Sequence, residues 1–207
     1  MVKIGEKEYY ESYARITLID IYNKKLKQSI LDDKPDIQDF INNIGIEVTR
    51  AIPNEIGITD SIVNETFGKN MKIEDIQEKI KKKFKSFSGE IGSIDEINYI
   101  APYKGMVDTT TLKQKIVDSI KEKNKKSVNY KKFKENDLYI FTENSFLDID
   151  DISEIINNAA NKCFDIIFIN CIDSIYICSS SKIEKIKIKN MKLACYKNKT
   201  MKELKNK

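Results

Sequence analysis

The chain has 207 residues, 41% hydrophobic and 33% charged, which suits one substantial domain with a real core and is unlike a disordered polymer. Thirty-six basic residues against 32 acidic ones leave a net charge of +4, and histidine is absent, which excludes a cysteine–histidine zinc site and any triad built on an imidazole. No apolar run reaches the ~18 residues a membrane span needs, and the first residues lack the apolar stretch of a signal peptide.

Tyr9 to Ile30 reads as a helix, with Tyr13, Ile16, Ile19, Leu26 and Ile30 recurring at near-helical intervals. The stretch "DDKP" stops it, because Pro35 disfavours helical geometry at Lys34. Asp36-Ile37-Gln38 is short and extended. "IGIEVTRAI" is a strand with Ile44, Ile46 and Val48 on one face and Glu47 and Thr49 on the other. Gly45 permits a close backbone approach near its start. Pro53 ends the strand, and Thr59 or Asp60 is a candidate helix cap. A second helix is expected near Ile73 to Phe84. "SFSGEIGSIDEINYIAPYKG" carries three glycines and a proline and reads as a loop or hairpin insertion near 86–107.

"DTTTLKQKIVDSIKEKNKK" reads as a helix capped at Asp108 or a nearby Thr, with Leu112, Ile116 and Ile120 on one stripe. "DLYIFTE" is a strand, "DIDDISEIINNAANKC" a helix capped at Asp150 or Asp151, "FDIIFIN" an apolar central strand, and "SIYIC" and "KIEKIKI" later strands. Strand, helix and apolar strand in that order predict an α/β class with a parallel unit and a right-handed crossover. The expected organisation is a single domain over 1–190, followed by a basic C-terminal tail over 191–207, whose last ten or so residues fray.

The lysines are unevenly placed. Lys113 to Lys134 carries a net +7 and Ser181 to Lys207 a net +8, whereas Asp137 to Asp173 holds eight acids and only Lys162. Such blocks create local fields, and basic ones suit a phosphate backbone. The bland account is a solvated surface in a sequence rich in Lys, Ile and Asn. The four cysteines form no CxxC pair, and Cys163, Cys171 and Cys178 lie in or beside apolar runs. Buried free thiols and a reducing cytoplasm are the expectation.

"KPDIQDFINNIGIEVTRA", Lys34 to Ala51, carries the most chemistry. If Asp36 begins one strand and Glu47 lies on its neighbour, their carboxylates converge. Converging carboxylates suit a hard divalent cation, which polarises a phosphoryl group and lowers the pKa of a bound water without any histidine. The bland readings are a turn aspartate after proline and a glutamate on the polar face of an amphipathic strand. Glu143, Asp148, Asp150 and Asp151 form a rival acidic tract, which lacks the register of a calcium loop and is explained by helix capping.

The stretch resembles the PD-(D/E)xK nuclease superfamily. Pro35-Asp36 matches the family's Pro-Asp, Glu47 its acidic residue, and Thr49 falls where the family usually has lysine. The resemblance covers about eighteen residues in motif detail. It implies a restriction-endonuclease-like core, with a mixed central sheet flanked by helices. It also implies a metal-dependent nuclease hydrolysing phosphodiester bonds in DNA, in restriction, phage or mobile-element biology. Its cofactor would be Mg²⁺ or Mn²⁺, held by Asp36, Glu47, the Val48 carbonyl and a helix glutamate, with Glu11 ahead of Glu8. A threonine hydroxyl hydrogen-bonds water but brings no charge and is no base at neutral pH. Lys34 is the candidate to supply the missing charge. Gln38, Arg15, Arg50, Lys113, Lys121 and Lys125 are candidate nucleic-acid contacts, Arg50 facing away from Thr49. Tyr99 and Tyr103 are candidates to stack on a base, or else pack in a turn. RNA, a protein partner and a homodimer are further assemblies to weigh. Two other classes compete: a catalytically inactive protein of the same fold that binds nucleic acid or a protein partner, and an unrelated α/β protein acting through protein contacts.

Overall fold

The structure, a computed structural model, describes residues 6–22, 24–52, 71–83, 89–94, 97–102, 109–142, 147–161 and 163–205. The chain divides into two compact units, residues 1–51 with 113–207 and residues 52–112.

The helices are α1 (Glu6–Ile21), α2 (Ile73–Lys83), α3 (Thr109–Lys126), α4 (Ile149–Ala159) and α5 (Asn190–Lys205). The strands are β1 (Ile30–Leu31), β2 (Ile37–Asp39), β3 (Ile44–Arg50), β4 (Gly89–Ile94), β5 (Ile97–Pro102), β6 (Glu135–Phe141), β7 (Ile166–Asn170), β8 (Ser174–Ser179) and β9 (Ile183–Lys187).

The larger unit is an α/β architecture. Its seven-stranded mixed sheet has the order β1-β2-β3-β6-β7-β8-β9. The pairs β3–β6 and β6–β7 are parallel and the other four antiparallel. The strand–helix–strand run from β6 through α4 to β7 is therefore the parallel unit that the sequence pattern predicts. On one face Ile44, Ile46, Val48, Tyr139, Phe141 and Phe168 pack with Tyr13, Ala14 and Leu18 of α1 and Tyr196 of α5. Alternation turns Leu138, Ile140, Ile167 and Ile169 to the opposite face, and all four are buried. On that side Lys113 of α3 pairs with Asp151 and Glu154 of α4.

Several boundaries differ from expectation. The first helix ends at Ile21, and a 3-10 turn over Lys24–Gln28 comes next. Leu26 is buried there while Ile30 opens β1 and is exposed, so the stripe that read as one helix is three pieces of backbone. Helix α4 is capped by Asp148, not by Asp150 or Asp151. The Asp148 carboxylate accepts from the Asp151 N–H and the Asp151 carboxylate from the Asp148 N–H, a reciprocal box that satisfies two donors at once. Residues expected as a basic tail with a fraying end form α5, whose Tyr196, Thr200 and Leu204 are buried. Its lysines lie on the outer face of an amphipathic helix.

In the smaller unit, β4 and β5 pair antiparallel from Gly89↔Pro102 to Ile94↔Ile97, a hairpin inside the segment read as loop or hairpin, with Tyr99 opposite Gly92. Helix α2 buries Ile76 and Ile80. Pro53, Thr59, Asp60, Tyr103, Asp108 and Glu143 lie outside the described residues. No described helix is long and apolar enough to cross a membrane.

Candidate active site

The register of β2 against β3 pairs Ile37 with Ile46. Asp36 comes one step before Ile37 and Glu47 one step after Ile46, so the antiparallel register brings the two residues to adjoining positions on neighbouring chain segments, and their carboxyls repel each other. Both are buried, Asp36 at 3% and Glu47 at 5% exposure. The Val48 N–H donates to Asp36 Oδ2 at 2.8 Å, which fixes the Pro-Asp turn to the strand carrying the glutamate. Gln38 holds the same turn from inside: its amide donates to the carbonyls of Pro35 (3.0 Å) and Asp33 (3.3 Å). Gln38, a candidate nucleic-acid contact, is buried and spends its amide N–H groups within the turn.

Gly45 is required here. A Cβ on it would lie 2.5 Å from Phe133 Cδ2 and 2.8 Å from Pro35 Cγ, closer than side chains approach. The absence of a side chain lets Pro35 and the Phe133 ring close over the strand and seat Asp36.

Glu11 of α1 joins the pair from the other side. It is 7% exposed, and Lys7, one helical turn before it, lies 3.3 Å from Glu11 Oε1, 3.4 Å from Asp36 Oδ1 and 3.6 Å from Asp33 Oδ1. Burial pushes the Glu11 carboxyl up to about 7, and the neighbouring Asp36 carboxylate adds to the rise while Lys7 opposes it. Glu8, the second choice for this role, is exposed.

Glu47 is held by two groups the sequence reading missed. Lys123 Nζ donates to Glu47 Oε1 at 2.6 Å and the Tyr130 hydroxyl donates to the same oxygen at 3.0 Å. Burial raises the Glu47 pKa and Asp36 adds to it, while Lys123 and Tyr130 pull it down. Glu47 Oε2 is buried with no hydrogen-bond partner, an oriented acceptor left for a cation or a water. The signal for Lys123 was present: it extends the stripe of Leu112, Ile116 and Ile120 by three residues, so an ammonium is placed on the inward face of α3.

The other candidate residues have varied surroundings. Thr49 lines a cleft of about 260 Å³ together with Lys7, Tyr10, Glu11, Val48 and Arg50. Arg50 also lines the cleft, and it keeps the face that alternation gives it, away from Thr49: it pairs with Phe141 in the β3–β6 ladder, and its guanidinium carbon lies 4.4 Å from the ring centroid of Tyr10 on α1. Lys34 is exposed and pairs with Asp33 at 3.4 Å, so the charges beside Asp36 and Glu47 come from Lys7 and Lys123 instead. Arg15, a candidate nucleic-acid contact, donates to Glu203 Oε2 of α5 at 2.7 Å and to the Ser29 carbonyl at 3.4 Å. Lys113 is taken by Asp151 and Glu154, whereas Lys121 and Lys125 are exposed on α3. In the rival acidic tract, Asp148 and Asp151 are used in the α4 cap.

Among the described residues, no three His, Cys, Asp or Glu side chains gather as a metal cage. Magnesium does not need one: it is commonly held by one or two carboxylates and completes its shell with waters and substrate phosphate. The Asp36–Glu47 pair, with the orphaned Glu47 Oε2, fits that requirement. Of the four cysteines, Cys171 and Cys178 are buried free thiols, Cys163 is half-buried and Cys195 exposed. The chain matches no family model, no curated protein and no solved structure.

Proposed function

We propose that this protein is a metal-dependent nuclease of the PD-(D/E)xK type that hydrolyses phosphodiester bonds in DNA. The observation that carries the reading is the buried pair Asp36 and Glu47, brought to adjoining positions by the β2–β3 register with Glu47 Oε2 unpartnered. The mixed sheet flanked by helices agrees with such a core without being specific to it. Asp36 and Glu47 would hold Mg²⁺ or Mn²⁺, with the Val48 carbonyl and Glu11 as neighbouring oxygens. The ion, when bound, supplies charge neutralisation at the phosphoryl oxygens and a more acidic water.

The chain's own groups do the rest. Lys123 holds Glu47 in one rotamer and keeps a positive charge beside the reacting phosphate. Thr49, at the usual lysine position, hydrogen-bonds the attacking water from the cleft wall. Lys7 is 68% exposed along its side chain and its three ion-pair contacts are long, so it exchanges carboxylate for phosphate readily. Arg50, on the same cleft, faces the incoming backbone.

Two observations favour a second reading, an inactive protein of the same fold that binds nucleic acid or a protein partner: Thr49 is no base, and Asp36 and Glu47 are each already matched with an ammonium. Calorimetry with Mg²⁺ or Mn²⁺, on the parent and on Asp36→Ala and Glu47→Ala, separates the readings together with a cleavage assay on DNA and RNA. Binding that disappears in both variants, with metal-dependent cleavage, is the expected result. Metal binding without cleavage selects the inactive protein, and no binding even with a DNA duplex present overturns the metal site.

A further inference from the structure

The turn between β2 and β3 presents two large apolar side chains to solvent. Phe40 is 52% and Ile41 74% exposed. The turn is rigidly built. Asp39 Oδ1 accepts from the N–H groups of Ile41 (3.0 Å) and Asn42 (2.9 Å), and Asp39 Oδ2 accepts from the Asn42 amide at 2.8 Å. Asn43, at φ 58°, receives the Lys134 N–H on its side chain (2.9 Å) and the Glu135 N–H on its carbonyl (3.1 Å). The position of Phe40 is thus fixed by its neighbours while its ring stays outside the core.

The surroundings of that ring are cationic. Lys131 Nζ lies 4.1 Å from the Phe40 centroid, and the buried Phe133 ring supports it at 5.7 Å. Lys131, Lys132 and Lys134 are all exposed, and among the described residues none of them pairs with a carboxylate. Lys132 Nζ donates to the Ser127 carbonyl at 3.0 Å, which leaves its charge uncompensated. The same segment leads to the acidic site. Tyr130, the residue before Lys131, donates to Glu47, and Lys131 and Lys132 line a small recess that Glu47 also lines.

An exposed ring among ammonium groups that no carboxylate neutralises matches the chemistry of a single-stranded nucleic acid, whose bases have free π-faces and whose phosphates are anionic. A duplex hides its base faces in its own stack. We propose that Phe40 with Lys131, Lys132 and Lys134 is a stacking platform that holds a single-stranded segment beside the Asp36–Glu47 site. A base stacks on Phe40 as Lys131 leaves the ring for a phosphate, and Tyr130 and the recess carry the strand towards Glu47. The inference rests on the nuclease reading for its purpose, since it names the form of the substrate, but its test does not use cleavage.

The chain contains no tryptophan, so Phe40→Trp places a single indole fluorophore on the platform. Titration with oligothymidylate in EDTA is expected to give saturable quenching that weakens with salt, and little quenching with a blunt duplex of the same length. In the otherwise unaltered chain, Phe40→Ala is expected to weaken oligothymidylate binding about tenfold by anisotropy, with Phe40→Tyr restoring it. Thermal melting of each variant checks the fold. Absence of quenching when anisotropy reports a bound strand overturns the platform, as does equal affinity of parent and Phe40→Ala. If neither strand nor duplex binds, the patch belongs to a protein contact and the proposal falls. Quenching without cleavage in Mg²⁺ leaves the platform standing and removes the nuclease reading; cleavage without quenching does the reverse.

Discussion

The Val48 N–H donates to Asp36 Oδ2 at 2.8 Å, so the aspartate after the cis proline is bound to the strand that carries Glu47. Removing the acceptor leaves a buried donor unsatisfied, which costs about 1–3 kcal/mol. Asp36→Ala should therefore lower the unfolding free energy measured in urea by that amount. Asp36→Asn keeps an oxygen for Val48 and should melt near the parent while losing Mg²⁺ binding in calorimetry. A melting temperature unchanged in Asp36→Ala would show that the bond contributes nothing.

Gly45 tests the packing that seats the turn. Gly45→Ala drives a methyl into the Phe133 and Pro35 rings, which lie 2.5 and 2.8 Å from the new atom. Overpacking of this kind costs about 1–3 kcal/mol. The melting temperature should fall by roughly 2–10 °C. Because Pro35 must give way, metal binding at Asp36 should weaken too. Equal metal affinity in the variant would place Asp36 beyond the influence of Pro35.

Lys123 and Glu47 should show strong coupling. Their side chains are 17% and 6% exposed, and breaking such a pair strands a buried carboxylate. Lys123→Met is expected to cost about 2–4 kcal/mol. Adding Glu47→Gln should recover most of that loss, because the stranded charge is gone. A double-mutant cycle by denaturant unfolding measures this, and additive effects would contradict it.

Asp137 gives a pH signature. Burial, then repulsion from Glu135, pushes its carboxyl up to about 9, although Oδ1 accepts from the Ile166 N–H at 3.1 Å. The folded chain keeps a proton that the unfolded chain releases near pH 3.8. Its contribution is fully present below that value and is lost as pH rises through the folded one. The parent should thus lose more stability between pH 6 and pH 9 than Asp137→Asn, which keeps the acceptor and cannot ionise. Parallel melting curves against pH for the two proteins, at about 2–4 °C per kcal/mol, would decide it; no difference in slope would refute the assignment.

Arg15 separates a structural from a substrate role. It ties α1 to Glu203 of α5 and to the Ser29 carbonyl. Arg15→Ala should cost about 1–3 kcal/mol of stability and leave oligonucleotide affinity unchanged. A fall in affinity at constant stability would restore it to the nucleic-acid surface.

Strand positions were legible because they depend on a local rule. Alternation in "IGIEVTRAI" and the apolar runs of β6 and β7 report which face of a sheet is covered, and the period is a property of the backbone itself. The juxtaposition of Asp36 and Glu47 was legible for the same reason: a short turn joins neighbouring antiparallel strands, and register is set by its length. Lys7, Lys123 and Tyr130 were not, since each meets its carboxylate across a separation that no local pattern encodes, or, for Lys7, only because Asp36 is folded against its helix. The lysine-rich end of the chain read as a tail because composition reports the charge of a surface and not whether a buried stripe of Tyr196, Thr200 and Leu204 lies beneath it. Residue order alone was enough for the α/β alternation and for the two adjacent acids. Folding chose the cations that stand beside those acids and the partners that Gln38 and Arg15 bond, because these assignments depend on packing between groups that the residue order leaves apart.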